Sequence, residues 1–363
     1  MSGEAGDSPG LGPMANRMSQ RRQPWGRRSP AQTDAAFGGD RGGPTYAALD
    51  LGTNNCRLLV ARPAGDGFRV VDAFSRIIRL GEGVSSSGRL SDAAIGRAID
   101  ALAVCRNKMR SRGVTRARLI ATEACRAAQN GDEFLVRVER ELGLKLEIID
   151  RETEALLAAT GCTPLIDAQA EGVVLFDIGG GSSELVRLDR SAPLHFGPPQ
   201  PKIRGWASLP VGVVSLAERH GGIEVSRAAY ETMVAEVAGF MEPFVAGNGG
   251  AIEGLHLLGT SGTVTTIAGV HLNLPRYERR WVDGCWMSDQ QVTRVLERLL
   301  AMSYQDRAAN PCIGPERADL VLAGCAILEA IRRVFPCERL RVADRGLREG
   351  MLVQMMREDG AWQ

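Results

Sequence analysis

Asp177-Ile178-Gly179-Gly180-Gly181-Ser182-Ser183-Glu184 is the stretch that decides the fold. Gly172-Val-Val-Leu-Phe176 leads into it and reads as a strand; Leu185-Val-Arg-Leu188 leads out and reads as the strand returning. The same grammar stands 127 residues earlier (177 minus 50). There the strand Tyr46-Ala-Ala-Leu-Asp50 meets the turn Leu51-Gly-Thr-Asn-Asn55, and Cys56-Arg-Leu-Leu-Val-Ala61 returns. Two copies of strand, Gly turn and strand, each followed by helical periodicity, predict two related α/β domains facing a cleft.

Working outward, Phe68–Phe74 reads as a third strand. Ser91 caps a helix running to about Ser111, and Gly113 suits its stop. Ala117–Thr122 and Leu146–Ile149 read as strands around a helix over 132–142 that Gly143 ends. Asp150 caps the helix that holds Glu152 and Glu154. Later come a strand Leu255–Leu258, the loop Gly259–Thr263, helices near 288–302 and 316–334, a strand Arg339–Val342 and a helix from about Leu347. Residues 1–44 differ: fourteen are Gly or Pro, and six Arg face four acidic residues. Such a segment cannot bury enough surface to offset its ordering entropy, so a disordered tail is expected.

The 363 residues suggest about two domains plus this tail. With 44 basic and 43 acidic side chains the formal charge is +1, which speaks against a bulk electrostatic partner such as nucleic acid. Lys stands only at 108, 145 and 202, so 41 of the basic residues are Arg, a bias that genomic base composition explains for most of them. Eight Cys form no C-x-x-C pair and His occurs four times, which argues against zinc and a disulfide framework. Free thiols imply a reducing compartment, and with no 18-residue apolar run or secretory signal a cytoplasmic enzyme is the working class. A homodimer is the default assembly.

The candidate chemistry lies in the turns. Gly52 permits a tight turn, and the amides after it can form an anion nest with Thr53 and Asn54 as side-chain donors. Asp50 repels bare phosphate, so its role is to hold a bridging cation, or else simply to cap a hairpin. Gly179, Gly180 and Gly181 cost backbone entropy that close approach of a phosphate explains, with Ser182 beside them. Glu184 lies seven residues past Asp177, across that turn, and can point back toward a metal or a water. Gly262 and Thr263 open a helix whose amides favour an anion, although, taken alone, a plain N-cap at Ser261 or Thr263 is the better reading. Arg126 is either a bidentate phosphate clamp or a surface ion pair. Glu154 is either a helix-dipole partner or a general base. No G-x-x-x-x-G-K-[ST] occurs, so there is no P-loop.

Together these residues resemble the exopolyphosphatase/guanosine pentaphosphate phosphohydrolase (Ppx/GppA) family, within the sugar kinase, actin and chaperone ATPase superfamily. Asp50-Leu-Gly-Thr-Asn, Thr122-Glu-Ala-Cys-Arg126, Glu152-Thr-Glu-Ala155, Phe176–Leu185, Leu209–Glu218, Gly259-Thr-Ser-Gly-Thr263 and Gly346-Leu-Arg-Glu-Gly350 carry the resemblance, over about residues 45–357. It implies two actin-like, ribonuclease H-like domains: 45–152 with the closing helix at about 347–357, and 153–345. It implies Mg²⁺ held by Asp50, Asp177 and Glu184, directly or through water. Glu154 would be the general base. Gly52, Thr53, Asn54, Arg126, Gly179, Gly180, Gly181, Ser182, Gly262 and Thr263 would hold phosphate. The implied reaction is release of orthophosphate from inorganic polyphosphate. Guanosine pentaphosphate is the alternative substrate, and ATP-dependent transfer a more distant one. With no His-Asp dipeptide the chain reads as a short form, lacking a C-terminal His/Asp-type domain. Two positions depart from the family's pattern: Asn55 stands where Ser is common, and Leu156 where a basic residue is.

Overall fold

The computed structural model describes residues 43–65, 67–189, 202–248 and 254–361, so the expected tail lies almost wholly outside the described residues. Strands β1 (Tyr46–Leu51), β2 (Asn55–Ala64), β3 (Gly67–Ile77), β4 (Arg116–Ala121) and β5 (Glu147–Ile148) form one sheet in the order β3-β2-β1-β4-β5. Strands β6 (Gly172–Ile178), β7 (Ser183–Asp189), β8 (Lys202–Leu209), β9 (Leu255–Thr260), β10 (Trp286–Ser288) and β11 (Arg339–Ala343) form the other, in the order β10-β11-β9-β6-β7-β8. Each sheet has an antiparallel three-strand meander followed by two parallel strands, β4 and β5 in one, β9 and β11 in the other. The second copy therefore repeats the first strand for strand and adds β10 at its edge. This is the two-part, actin-like α/β architecture expected.

The central strands read as continuous apolar runs because helices cover both faces. In β1 every residue is buried except Asp50, and in β6 every residue except Asp177. Each carboxylate interrupts its strand one residue before the end. The helix stops hold as expected. The Ser91 hydroxyl accepts from the Ala94 amide at 3.2 Å, and the Asp150 carboxylate accepts from Thr153 at 2.7 Å. Gly143 ends the helix Gly131–Leu142 at φ 65, a conformation that glycine adopts without a Cβ clash.

Two expectations need correction, and one stretch went unassigned. The helix expected from 316 begins at Val321. The carbonyls of Glu316 and Ala318 are taken by the Arg79 and Arg307 guanidiniums, so residues 315–320 remain a series of turns. The expected loop 259–263 shrinks to Ser261: Gly259 and Thr260 complete β9, and Gly262 already begins the helix Gly262–His271. Residues 213–248, which carry no sequence assignment, form the helices Val213–His220 and Arg227–Asn248.

The closing helix Leu347–Glu358 returns to the first sheet. Leu347, Met351, Leu352, Met355 and Met356 bury against Tyr46, Ala48, Leu59 and Ile120, and also against Leu157 of the helix Arg151–Cys162. The two helices cross backbone to backbone. A Cβ on Gly350 would stand 2.0 Å from the Leu157 carbonyl oxygen, and one on Gly161 would stand 2.0 Å from that of Gly346. The motif Gly346-Leu-Arg-Glu-Gly350 is thus a crossing device, and the helix it fixes is the one that carries Glu154.

Candidate active site

The two Gly turns are the same structure twice. The Gly52 amide donates to the Asn55 carbonyl at 2.9 Å, and the Gly179 amide to the Ser182 carbonyl at 3.0 Å. Both pairs are separated by the same 127 residues as Asp50 and Asp177. Among the described residues, the amides of Thr53, Asn54, Gly180 and Gly181 donate to no recorded acceptor. Successive undonated amides of this kind make an anion nest.

The glycines of the second turn have a reason other than the one the sequence suggested. A Cβ at Gly179 would stand 2.6 Å from the Ser182 carbonyl oxygen, and one at Gly180 would stand 2.8 Å from the Thr53 Cβ. A Cβ at Gly212 would meet the Gly180 backbone at 2.4 Å. Protein atoms fill this space. The two turns press on each other, and residue 212 presses on the second of them.

Asp50, Asp177, Glu154 and Glu184 line one cleft with Gly52, Thr53, Asn54, Gly179, Gly180, Gly181, Ser182, Gly262 and Thr263. The space they enclose is about 920 Å³, including the part open to solvent. In the β6–β7 ladder Asp177 pairs directly with Glu184. Like charges directly opposite in a ladder destabilise a sheet, so this pair is kept for a reason other than stability. The equivalent pair in the first sheet is Asp50 and Arg57. Arg57 is therefore the repeat counterpart of Glu184 (184 minus 127). It lines the cleft and was missed in the sequence, although counting back by the repeat offset would have found it.

Burial dominates the electrostatics. Asp177 is pushed up to about 6 by burial, with Arg57 opposing and Asp50 adding to the rise. Glu184 is pushed up to about 7 by burial and by Asp177, although the Ser182 and Ser208 hydroxyls donate to it at 2.8 and 3.0 Å. Burial also raises Asp50 against the pull of Arg57. Glu154 stands well above the usual carboxylate range through burial and the charge of Glu184, against the pull of Arg126.

Arg126 is not among the residues lining the cleft. Its Nη2 donates to Glu123 at 2.6 Å and to Glu154 at 3.1 Å, its Nε to Glu123 at 3.0 Å, and its Nη1 to the Ile149 carbonyl at 2.6 Å. Four of its five N–H donors are thereby spent on protein acceptors, and one of the four holds Glu154. The ion-pair reading of Arg126 describes this geometry; the phosphate-clamp reading requires it to let go.

Ser261 caps nothing. It sits at φ 113, in the left-handed region, and its buried hydroxyl has no partner among the described residues. A non-glycine residue held there signals strain kept for a use. The first residues of the helix it precedes, Gly262 and Thr263, line the cleft, and two guanidiniums converge there. A Cβ at Gly262 would stand 3.7 Å from both Arg57 Nη2 and Arg317 Nη1. Neither Arg forms an ion pair among the described residues, and burial lowers the basicity of Arg317, with the charge of Arg57 adding to it. Two guanidiniums without an ion-pair partner at a helix N-terminus can favour an anion there. Arg317 carries no local sequence signal; only the tertiary fold brings it here.

The donor set suits a hard cation. It is all oxygen, with the buried Glu184, the half-buried Asp50 and Asp177, and the Asn54 and Asn55 side-chain oxygens left without partners. Among the described residues, however, no three His, Cys, Asp or Glu side chains stand close enough to cage a metal. Such an ion would rely on few protein ligands and complete its shell with water and substrate oxygens, which is the habit of Mg²⁺. No described helix is long and apolar enough to cross a membrane.

A family model described as the Ppx/GppA phosphatase family matches residues 59–359. A guanosine-5'-triphosphate,3'-diphosphate pyrophosphatase of Aeromonas hydrophila is 30% identical over 314 residues, covering 86% of this chain and 60% of that protein. The chain thus spans about 60% of the length of that relative. Exopolyphosphatase 2 of Mycobacterium tuberculosis is 28% identical over 335 residues, covering 85% of this chain and 98% of that protein. The solved structure of the Aquifex aeolicus Ppx/GppA family member superimposes with a TM-score of 0.71 at 28% identity, covering 87% of this chain and 98% of the other. That of an exopolyphosphatase-like protein does so with a TM-score of 0.78, also at 28% identity and with the same coverage.

Proposed function

The chain belongs to the Ppx/GppA phosphatase family, and from that premise we propose that its cleft hydrolyses the terminal phosphoanhydride bond of inorganic polyphosphate, releasing orthophosphate. The observation that carries this reading is Glu154. It is a largely buried carboxylate in the first turn of a helix, bonded by Arg126, and it lines the same cleft as the Asp177–Glu184 pair and the two Gly turns. A carboxyl raised toward neutrality accepts a proton from water better than an ordinary one does.

In this reading the amides of Thr53, Asn54, Gly180 and Gly181 hold the terminal phosphoryl group. Arg57, Arg317 and the helix opening at Gly262 hold the phosphates behind it. Glu154 orients the attacking water and takes its proton. Asp50, Asp177 and Glu184 would hold Mg²⁺, in part through water, and the ion would neutralise charge on the phosphoryl oxygens. The working units are 45–152 with the closing helix, and 153–345.

The name of the Aeromonas relative favours a second substrate, guanosine pentaphosphate, cut by the same chemistry. Orthophosphate release with Mg²⁺ on both substrates tests the reading. Release from polyphosphate supports it. A preference for the nucleotide moves the substrate and keeps the site, and no release from either overturns it.

Two further results are expected. Glu184→Ala raises the Mg²⁺ concentration for half-maximal activity by about 10–100-fold; an unchanged requirement would remove Glu184 from the ion. The metal-free protein loses stability as pH rises from about 4 to about 7. Asp177 and Glu184 keep their protons in the folded state, at about 6 and about 7, after the unfolded chain has released them. Stability is therefore greatest below the unfolded values and falls as pH passes the folded ones, by on the order of 3 kcal/mol for Asp177. Thermal melting across pH 4–8 shows this fall, and Mg²⁺ at pH 8 reverses it; a flat profile contradicts both.

A further inference from the structure

Arg79 lies outside the cleft, yet it joins two of the cleft's parts. It follows β3 at φ 46, left-handed for a residue with a side chain. Its backbone is bound to the first anion nest. The Ile78 and Arg79 amides donate to the Asn54 carbonyl at 2.8 and 3.1 Å, and the Gly81 amide to that of Thr53 at 2.9 Å. From the other side Arg97 holds the Ile78 and Arg79 carbonyls at 2.7 and 3.1 Å.

Its side chain reaches the opposite half of the molecule. Nη1 and Nη2 grip the Asp319 carboxylate at 2.8 and 3.0 Å, and Nη2 also donates to the Glu316 carbonyl at 2.9 Å. These acceptors bracket Arg317, which lies between them in sequence. Arg307 fixes the same turn from behind through the Ala318 carbonyl. A bidentate fork sets both distance and angle, which a single ion pair does not.

We infer that Arg79 is a positioning residue. By binding both ends of the turn 316–319 it presents Arg317 to the substrate's phosphates, so that the first anion nest and the distal guanidinium are set at one spacing. The inference rests on the proposed role of Arg317 in phosphate binding. A neighbouring contact between the halves does not touch this turn: Glu218 accepts from the Gly83 amide at 2.9 Å and from the Ser85 hydroxyl.

The test is the affinity for polyphosphate in Mg²⁺, measured by calorimetry on the full chain so that no turnover is needed. Arg79→Met and Arg317→Met should each weaken binding about tenfold, and the double variant about tenfold rather than a hundredfold, because one acts through the other. Asp319→Asn cuts the same fork from its other end and should match Arg79→Met if that variant folds poorly. Glu218→Gln should bind within about twofold of the parent protein.

Additive losses overturn the inference, as does an Arg79→Met or Asp319→Asn protein that melts lower but binds normally. An equal loss in Glu218→Gln overturns it too, since closure in general would then be the cause. Normal binding by Arg317→Met, or no binding by the parent protein, overturns the cleft reading on which the inference stands.

Discussion

Glu154→Gln lowers turnover by about 10²–10⁴-fold while polyphosphate binding stays within a few-fold of the parent. The glutamine keeps the shape and one acceptor oxygen, so Arg126 retains a partner at the position of its 3.1 Å bond. What is lost is the proton acceptor. Loss of kcat with affinity kept is the signature of a group that acts in the transition state. The cleft should bind slightly better if anything, since one negative charge fewer faces the substrate. Single-turnover release of orthophosphate, measured beside calorimetric binding, decides the matter. Near-parental turnover removes Glu154 from the mechanism; loss of binding in proportion to turnover makes it a structural residue. Arg126→Met should show a smaller loss of turnover, because it leaves Glu154 present but untethered.

Gly350→Val costs about 3 kcal/mol of stability and takes turnover with it. The Cβ would meet the Leu157 carbonyl oxygen at 2.0 Å and its carbonyl carbon at 2.8 Å. Both are backbone atoms, and no side chain can swing aside to make room. The closing helix or the helix Arg151–Cys162 must move, and Glu154 sits one turn before Leu157 on the second of these. Thermal melting reads the first effect, and kcat at a temperature where the variant is folded reads the second. Gly239→Ala in the helix Arg227–Asn248 is the contrast: nothing lies within 4 Å of its Cβ, so it should stabilise by about 0.5–1 kcal/mol. A Gly350→Val protein that melts like its parent shows that the helices can separate there at no cost.

Much of the fold was legible because it is local or repeated. Strand, Gly turn and strand recur at one offset, and the buried faces of β1 and β6 need continuous apolar runs that only Asp50 and Asp177 break. Ser91, Gly143 and Asp150 end or begin helices through bonds within a turn of themselves, which a linear reading can see. The glycines of 179–181 were legible as special, yet for an incomplete reason. Their space is filled by Thr53, Glu123 and Ser182, contacts that span up to 127 residues of chain.

The sequence by itself determined that two like α/β units exist, that each ends a central strand in a carboxylate, and that a Gly turn follows. Short-range hydrogen bonding and side-chain period suffice for that. Only the tertiary structure decided which charges meet. It set Asp50 opposite Arg57 but Asp177 opposite Glu184, tied Arg126 to Glu154, and brought Arg317 to the helix at Gly262. Charge interactions depend on distance and burial through space, and neither quantity is written in the order of residues along the chain.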